Sequence, residues 1–330
     1  MTRRTSTLLC AVAALGVFAA SVGVGQAAET IKFGHVGQPG SLMDKPAKEF
    51  AKRANEKLGD KAEVRVYGSS QLGSDTQMLR KLKLGTIDMS LPSTVMSSVA
   101  PSFALFEMPF LVNDREHMAR IRESELISGK LDEAAASQNY KILGVWENGF
   151  RNITNNERPI SSPDDLKGIK LRTPNGQWRV RMFKSYGANP TPMPYSETFV
   201  ALQTGAVDGQ ENPLAQIYPA RFYEVQKYLS LSRHVYTPAY VLAGASWQRM
   251  PEDVRSVLKE TAEEMQPVAL EMGTELEEEL LTKLKDEGME VNDIDRQAFV
   301  DASEPIYQQF ESDVDDGEAM IEEVRSLKDE

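Results

Sequence analysis

Short apolar runs with strand character alternate with amphipathic helical stretches from Thr30 onwards, and this alternation most constrains the fold. Strands are predicted at 31–36, 62–67 and 87–91, with helices at 44–58 and 75–84 between them. Pro46 in the first helical turn and Gly85 after the second helix are typical of helix boundaries. The first part of the chain is therefore predicted to run β-α-β-α-β, which favours an α/β architecture.

A second α/β run follows in the middle of the chain. Two further strands are predicted at 140–146 and 150–154, and the turn Glu147-Asn148-Gly149 between them is the candidate crossing from one lobe to the other. The subsequent elements are a strand at 169–172, a helix at 177–186, a helix at 197–204 with Ser196 as its N-cap, a strand at 207–210 and a β-rich segment at 236–245. From 252 onwards the pattern is helical and charged, and the β-rich segment is expected to return the chain to the first lobe.

The N-terminus has the pattern of an export signal. Arg3 and Arg4 precede an apolar run at 8–24, and Gly25-Gln26-Ala27 places small residues at the cleavage position. The segment 1–28 is thus predicted to be a signal peptide that directs the protein to the periplasm. No later segment reaches the roughly 18 apolar residues of a membrane span, so no membrane insertion is expected after cleavage.

Charge and side-chain chemistry exclude several classes of function. Lys and Arg total 37 against 49 Asp and Glu, a net charge of −12, which disfavours nucleic-acid binding. The only cysteine, Cys10, lies in the predicted signal peptide, and the three histidines have no zinc-site spacing. Neither a P-loop nor a nucleophile elbow is found, so no metal or cofactor is expected.

Gly34, Gly37 and Gly40 lie at and after the end of the first predicted strand with the spacing G-x-x-G-x-x-G. The dinucleotide-binding pattern is G-x-G-x-x-G and differs from this spacing. The segment is either a flexible turn or a turn whose backbone approaches a small ligand, and the sequence leaves both possibilities open. His35 and Gly37 are therefore included among the candidate ligand-binding residues.

Two arginines lie near predicted strand ends, where side chains of an α/β lobe face a crevice. Arg151 follows Gly149-Phe150, and Arg172 precedes Thr173-Pro174. A guanidinium group binds a carboxylate with two parallel hydrogen bonds and stays charged at any working pH. Both residues are candidates for binding an organic acid.

The long segments 188–197, 201–213 and 222–229, together with the shorter matches 69–73, 85–88 and 108–110, carry a family resemblance. They resemble the DctP-type extracytoplasmic solute-binding proteins of tripartite ATP-independent periplasmic (TRAP) transporters. The resemblance implies a two-lobed periplasmic-binding-protein-like α/β fold, with a ligand cleft between the lobes and long C-terminal helices. By this resemblance, lobe I is expected at 29–148 and 238–277, and lobe II at 149–237 and 278–330.

The resemblance also assigns expected roles. Arg172 would bind the ligand carboxylate, Arg151 would be a second cation and Asn212 would hydrogen-bond to the ligand. Tyr195 would place its ring against the ligand, and Asn175 and Asp75 match further pocket positions. The partners implied are a small organic acid and the membrane subunits of a TRAP permease, with the binding protein itself a monomer.

Sialic-acid-binding members of the family have polar residues where this chain has Val36, Ser93 and Met96. Loss of three polar contacts argues against sialic acid, because each buried ligand group left without a partner costs about 1 to 3 kcal/mol. Ser93 is nevertheless included among the candidate site residues. A hydroxylated carboxylate or sugar acid is the first expectation, and a C4-dicarboxylate or an ectoine-like zwitterion is the alternative.

Two other classes of function, and one ambiguous residue, remain open from sequence. A periplasmic enzyme acting on an acidic sugar would need Asp75 or Glu211 as its base, and a sensor would share the fold and differ only in its partner. Asp75 itself either reads a ligand hydroxyl or caps the helix that follows Gly73.

Overall fold

The computed structural model describes residues 29–328, so the predicted signal peptide at 1–28 lies outside the described residues. Its strands are β1 (Glu29–Gly34), β2 (Ala62–Tyr67), β3 (Met89–Ser90), β4 (Lys141–Asn155), β5 (Lys170–Thr173), β6 (Asn189–Pro192), β7 (Gly209–Pro213), β8 (Tyr228–Leu231), β9 (Tyr236–Ala243) and β10 (Glu290–Asp293). Its α-helices are α1 (Asp44–Leu58), α2 (Asp75–Leu84), α3 (Arg115–Glu123), α4 (Asp132–Ser137), α5 (Gln177–Ser185), α6 (Tyr195–Gln203), α7 (Leu214–Ile217), α8 (Glu252–Asp286), α9 (Arg296–Asp313) and α10 (Gly317–Ser326).

The first lobe has the predicted β-α-β-α-β order. Strand β1 pairs in parallel with both β2 and β3, and β9 returns to pair antiparallel with β3. Helices α1 and α2 have the predicted bounds, and Gly85 ends α2 in the left-handed conformation, at φ +66°. The return of the chain at 236–245 is confirmed by β9.

The predicted turn at 147–149 is wrong: β4 is one continuous strand of 15 residues. A shift in register between Glu147 and Gly149 bulges the strand at this point. On both sides of the bulge, up to Phe150, β4 pairs with β9. From Arg151 onwards it pairs with β7, and from Ile153 onwards also with β8. Strand β4 therefore joins a first sheet, β2-β1-β3-β9, to a second sheet, β7-β5-β6. Strand β8 also pairs with β4, and β10 pairs with β8.

Helix α8 contributes to two hydrophobic cores. Val254, Leu258 and Met265 pack in the main hydrophobic core, whereas Leu276 and Leu284 pack in a second core beside β8 and α7. Between these two stretches Gly273 lies against the bulge of β4, where a Cβ atom would come within 2.6 Å of Glu147 Oε1. The bulge of β4 and the middle of α8 are therefore in close contact.

The start of α6 also differs from the prediction. The helix begins at Tyr195, preceded by Pro194, so Ser196 lies within the first turn and is not the N-cap. Proline is favourable at a helix start because its fixed φ suits the entry of the chain. This earlier start places Tyr195 at the end of α6 that faces the cleft.

Candidate ligand-binding cleft

A cleft with about 380 Å³ of space not filled by atoms opens where several strand ends and the first turns of α2 and α6 converge. Its size suits a small molecule and its lining mixes apolar and polar groups, as in most small-ligand sites. The lining residues are Val36, Met43, Asp75, Ser93, Thr94, Val95, Asn148, Arg151, Arg172, Pro174, Tyr195, Asn212 and Gln216. Six of the nine residues predicted from sequence are therefore brought together.

Arg172, on β5, is buried and has no acidic partner among residues 29–328. Its Nε and Nη2 atoms donate to the backbone carbonyl of Met193, at 3.1 and 2.7 Å, and Nη1 forms no hydrogen bond within the described chain. Burial and the nearby charge of Arg151 lower the pKa of Arg172 to about 10. The guanidinium therefore carries a positive charge that an incoming anion would compensate.

Arg151 differs, because its charge is already paired. Its Nη2 atom donates to Glu211 Oε1 at 2.9 Å, to the Glu211 carbonyl at 2.6 Å and to Asn212 Oδ1 at 3.0 Å. Glu211 also accepts from Arg179 Nη1 at 2.6 Å and contacts His234 Nε2 at 3.1 Å. Arg151 lines the cleft as a hydrogen-bond donor whose charge is balanced within the protein.

The acidic members of this network have opposite pKa shifts. Burial alone would raise the pKa of Glu211, but the charges of Arg151 and Arg179 and the hydrogen bond with His234 hold it well below its usual range. Burial raises the pKa of Glu107 to about 7 despite its ion pair with Arg179. Glu211 is thus ionised, and its depressed pKa makes it a weak proton acceptor.

The amide of Asn212, on β7, is oriented by a chain of hydrogen bonds. Asn212 Nδ2 donates to Gln210 Oε1 at 2.6 Å, and Gln210 Nε2 donates to Thr154 Oγ1 at 2.9 Å. Thr154 in turn donates to Gln226. Because Asn212 Oδ1 accepts from Arg151, the second N–H of Nδ2 is the donor that Asn212 can offer to a ligand.

Asp75 begins α2, but it does not cap the helix. The cap is Ser74, whose hydroxyl accepts from the Gln77 backbone while the Gln77 side chain accepts from the Ser74 backbone. The Oδ1 atom of Asp75 is buried without a hydrogen-bond partner. Burial raises the pKa of Asp75 to about 7, and the charge of Arg172 opposes this shift. The carboxyl group is therefore available to a ligand.

Tyr195 and Ser93 complete the predicted residues that line the cleft. The Tyr195 hydroxyl donates to the backbone carbonyl of Gln216 at 2.8 Å, and its ring packs edge-on against Phe222. The Ser93 hydroxyl donates to the carbonyl of Pro238 at 2.7 Å. Both hydroxyl protons are thus committed to the protein.

The three remaining predicted residues lie outside the cleft lining. His35 is fully buried, and burial lowers its pKa to about 4. Gly37 packs closely, since a Cβ atom there would lie 2.4 Å from Ser41 Oγ and 2.7 Å from Met43 Cβ. Asn175 follows the lining residue Pro174 and is partly exposed.

Sequence reasoning missed Asn148, Gln216 and Thr94. Asn148 stood within the supposed turn of β4, and Gln216 lies three residues beyond the family-like run that ends at Pro213. Extending that run into α7 was the one signal that could have pointed to Gln216. For Thr94 and Asn148 no local signal existed.

The described part of the chain, residues 29–328, contains no group of three or more His, Cys, Asp or Glu side chains that could hold a metal ion. Among the helices in this range, none combines the length and apolarity required to cross a membrane.

The sequence model of bacterial extracellular solute-binding protein family 7, DctP, matches residues 33–313. The chain belongs to this family. The match covers both sheets and almost every element that lines the cleft. It is a family of periplasmic transport proteins, in agreement with the resemblance found in the sequence.

Relatives within the DctP family bind several acids. The chain is 34% identical to the sialic acid-binding periplasmic protein SiaP of Vibrio cholerae, over 91% of this chain and 94% of that protein. It superposes on the sugar acid binding protein DctPAm of Advenella mimigardefordensis in complex with galactonate with a TM-score of 0.88, at 32% identity, covering 91% of this chain and 99% of the other. A TRAP solute-binding protein of Sulfurospirillum deleyianum with bound succinate gives a TM-score of 0.87 at 32% identity, covering 92% and 100%.

Proposed function

We propose that this DctP-family protein binds a small hydroxylated monocarboxylate in the periplasm and delivers it to the membrane subunits of a TRAP transporter. The observation that carries the proposal is the buried Arg172, which has no acidic partner among the described residues and has Nη1 free to donate. A buried charge is unfavourable unless it is paired, and a ligand carboxylate supplies the pair. Asn212 Nδ2 and Arg151 Nη1 are further donors for the same carboxylate.

The preference for hydroxyl groups rests on Asp75. Its unpartnered Oδ1 accepts a hydrogen bond when the carboxyl is ionised, and a ligand hydroxyl can donate one. The position of Asp75 in the cleft with Arg172 disfavours a second ligand carboxylate beside it, because like charges repel. A sugar acid or hydroxy acid satisfies both groups at once.

A C4-dicarboxylate is the second candidate, favoured by the succinate bound to the Sulfurospirillum relative. The pairing of Arg151 with Glu211 argues against a dicarboxylate, because within residues 29–328 Arg172 is then the one arginine lining the cleft without an ion pair. An ectoine-like zwitterion would place its carboxylate at Arg172 and its cationic group at Asp75. The predicted lack of enzymatic activity is retained as part of the proposal, since the depressed pKa of Glu211 makes this carboxylate a weak proton acceptor.

A thermal-shift screen of organic acids tests the proposal. A ligand that binds only the folded state stabilises it by RT ln(1 + [L]/Kd), about 2.7 kcal/mol at a hundredfold excess over Kd. Hydroxylated monocarboxylates are expected to raise the melting temperature most, and calorimetry should find reversible binding without turnover. Sialic acid is expected not to bind at millimolar concentration. Failure of every acid to stabilise the protein would refute the proposal.

Asp75→Ala is expected to reduce the preference for hydroxylated acids over their deoxy counterparts from at least about tenfold to near unity. Its melting temperature should not fall, because Ser74 provides the helix cap and Asp75 Oδ1 makes no hydrogen bond. The matched control is Ser74→Ala, which should cost about 1 kcal/mol of stability and leave the preference unchanged. A destabilised Asp75→Ala protein with intact preference would assign the residue a structural role only.

Ligand binding is expected to bring the lobes together. We retain the predicted boundaries, with lobe I at 29–148 and 238–277 and lobe II at 149–237 and 278–330, and place the hinge at the β4 bulge and the middle of α8. Because ligand contacts from both lobes form together only in the closed state, they bias a hinge transition. Small-angle scattering should show a smaller radius of gyration with saturating ligand, and an identical profile would argue against closure.

A further inference from the structure

The side-chain amide of Gln216 forms part of the cleft wall and was not among the predicted site residues. Gln216 lies on α7, is only 2% exposed, and its Oε1 atom is buried without a hydrogen-bond partner. A buried acceptor without a partner is unfavourable, so an unpartnered oxygen in a ligand cleft points to a donor on the ligand. Whether Gln216 presents Oε1 or Nε2 to a ligand depends on the orientation of its amide.

Two backbone carbonyls behind the cleft determine the orientation of this amide. Ser93 Oγ donates its proton to the carbonyl of Pro238 at 2.7 Å, and Thr237 Oγ1 donates its proton to the carbonyl of Gly149 at 3.4 Å. A hydroxyl has one proton, and a carbonyl can only accept. Towards Asn148 both hydroxyls can therefore only accept, and Asn148 Nδ2 donates to them at 3.2 and 3.0 Å.

This arrangement determines the direction of the next hydrogen bond. With Nδ2 directed at the two hydroxyls, Asn148 presents its Oδ1 to Gln216, and only the NH₂ end of the Gln216 amide can donate to that oxygen. Gln216 Nε2 donates to Asn148 Oδ1 at 3.1 Å, which leaves Gln216 Oε1 for the cleft. Rotation of the Gln216 amide would place two acceptor oxygens against each other.

Within the described residues, the cleft consequently presents three unpartnered oxygens, namely Gln216 Oε1, Asp75 Oδ1 and the hydroxyl of Thr94. The first two can only accept when Asp75 is ionised, whereas the donors of the cleft include Arg172 and Asn212. We propose that Gln216, oriented by Asn148, is a specificity-determining residue that selects a ligand hydroxyl over a second carboxylate. The inference rests on the proposed function and deepens it, because it defines the ligand class as polyhydroxylated monocarboxylates. A hydroxyl donates to Gln216 Oε1, whereas an ionised carboxylate has no proton to donate and repels the acceptor.

Two pairs of acids isolate this effect. D-Erythronate and meso-tartrate differ only in that the terminal hydroxymethyl group of the first is a carboxylate in the second, and D-galactonate and galactarate differ in the same way. By calorimetry, the wild-type protein should bind the monocarboxylate of at least one pair about tenfold or more tightly than the dicarboxylate, because a site built for hydroxyl pairing rejects ligands that cannot donate. Gln216→Met keeps the length of the side chain and removes the amide oxygen that accepts. In this variant the ratio of monocarboxylate to dicarboxylate affinity should fall below about threefold.

A second variant tests the orientation without altering Gln216. Ser93→Ala combined with Thr237→Val removes both hydroxyls that hold the Asn148 amide, so that Asn148 and Gln216 can both rotate and Gln216 can present Nε2 instead. The ratio should then shift towards the dicarboxylate, an outcome that a loss of stability alone would not produce. The double variant also tests the role of Gln216 in ligand selection if Gln216→Met fails to fold.

The outcomes separate this inference from the proposed function. An unchanged ratio in a folded variant, or wild-type protein that binds the dicarboxylates as tightly as their partners, would overturn the inference and leave the proposed function standing. The same holds if none of the four acids binds although another acid of the screen does. Absence of binding by every organic acid would overturn the proposed function and this inference with it.

Discussion

Arg172→Ala is expected to abolish most of the affinity for the ligand. Removing one partner of a buried charge pair typically costs roughly 2 to 5 kcal/mol, which is on the order of 30-fold to several-thousand-fold in Kd. The physical reason is that Arg172 is buried and, unlike Arg151, forms no ion pair with a carboxylate of the described residues. Isothermal titration calorimetry with the best acid of the screen measures the loss.

Two further variants make the result specific. Arg172→Lys should also bind the ligand poorly. An ammonium group lacks the planar arrangement of donors with which a guanidinium bonds to the Met193 carbonyl and to a carboxylate at the same time. Arg181→Ala is the matched control, since Arg181 pairs with Asp313 at the surface, and its affinity should equal that of the wild type. Binding by Arg172→Ala within about threefold of the wild type, well under 1 kcal/mol, would remove Arg172 from the site.

Glu211→Gln is expected to cause the largest loss of stability. The carboxylate lies between Arg151 and Arg179 and contacts His234, and all four side chains are buried. Breaking a buried ion pair by removing one partner typically costs about 3 to 5 kcal/mol, because the remaining charge is left uncompensated. Thermal unfolding without ligand should therefore show a large fall in melting temperature.

The control is Glu224→Gln, which removes a carboxylate paired with Arg221 at the surface and should leave the melting temperature unchanged. The pH dependence gives a second test. Because the folded-state pKa of Glu211 is depressed, its contribution to stability is present above the unfolded value, near 4.5, and is lost as the pH falls through the folded value. The stability difference between wild type and Glu211→Gln should therefore shrink in acid, and a constant difference would contradict the assigned network.

Local signals in the sequence were sufficient to predict the position of many helices and strands. The bounds of α1 and α2 follow from helical periodicity, a proline in the first turn and a glycine after the end, all of which act within a few residues. The alternation of strand and helix was sufficient for the α/β architecture, and the long family-like run ending at Pro213 for the family. Arg172 was predicted from its place near a strand end and Asp75 from the family resemblance, and both residues line the cleft.

The errors arose where local and tertiary preferences differ. The segment Glu147-Asn148-Gly149 has turn-like composition, but β4 pairs with β9 both before and after it, which makes it a bulge inside one strand. Pairing of the following residues with β7 and β8 continues the strand. Ser196 has a good capping side chain, yet the helix begins at Tyr195. Such outcomes depend on partners far away in sequence, which no local pattern encodes.

The sequence by itself determined the architecture, the family and the presence of arginines suited to a carboxylate. Only the tertiary structure decided that Arg151 is neutralised by Glu211, 60 residues away, whereas Arg172 is not, and that Gln216 presents an oxygen to the cleft. The reason is that the charge and polarity available to a ligand are what remains after long-range partners have formed their own bonds. Those partners meet only in the folded chain.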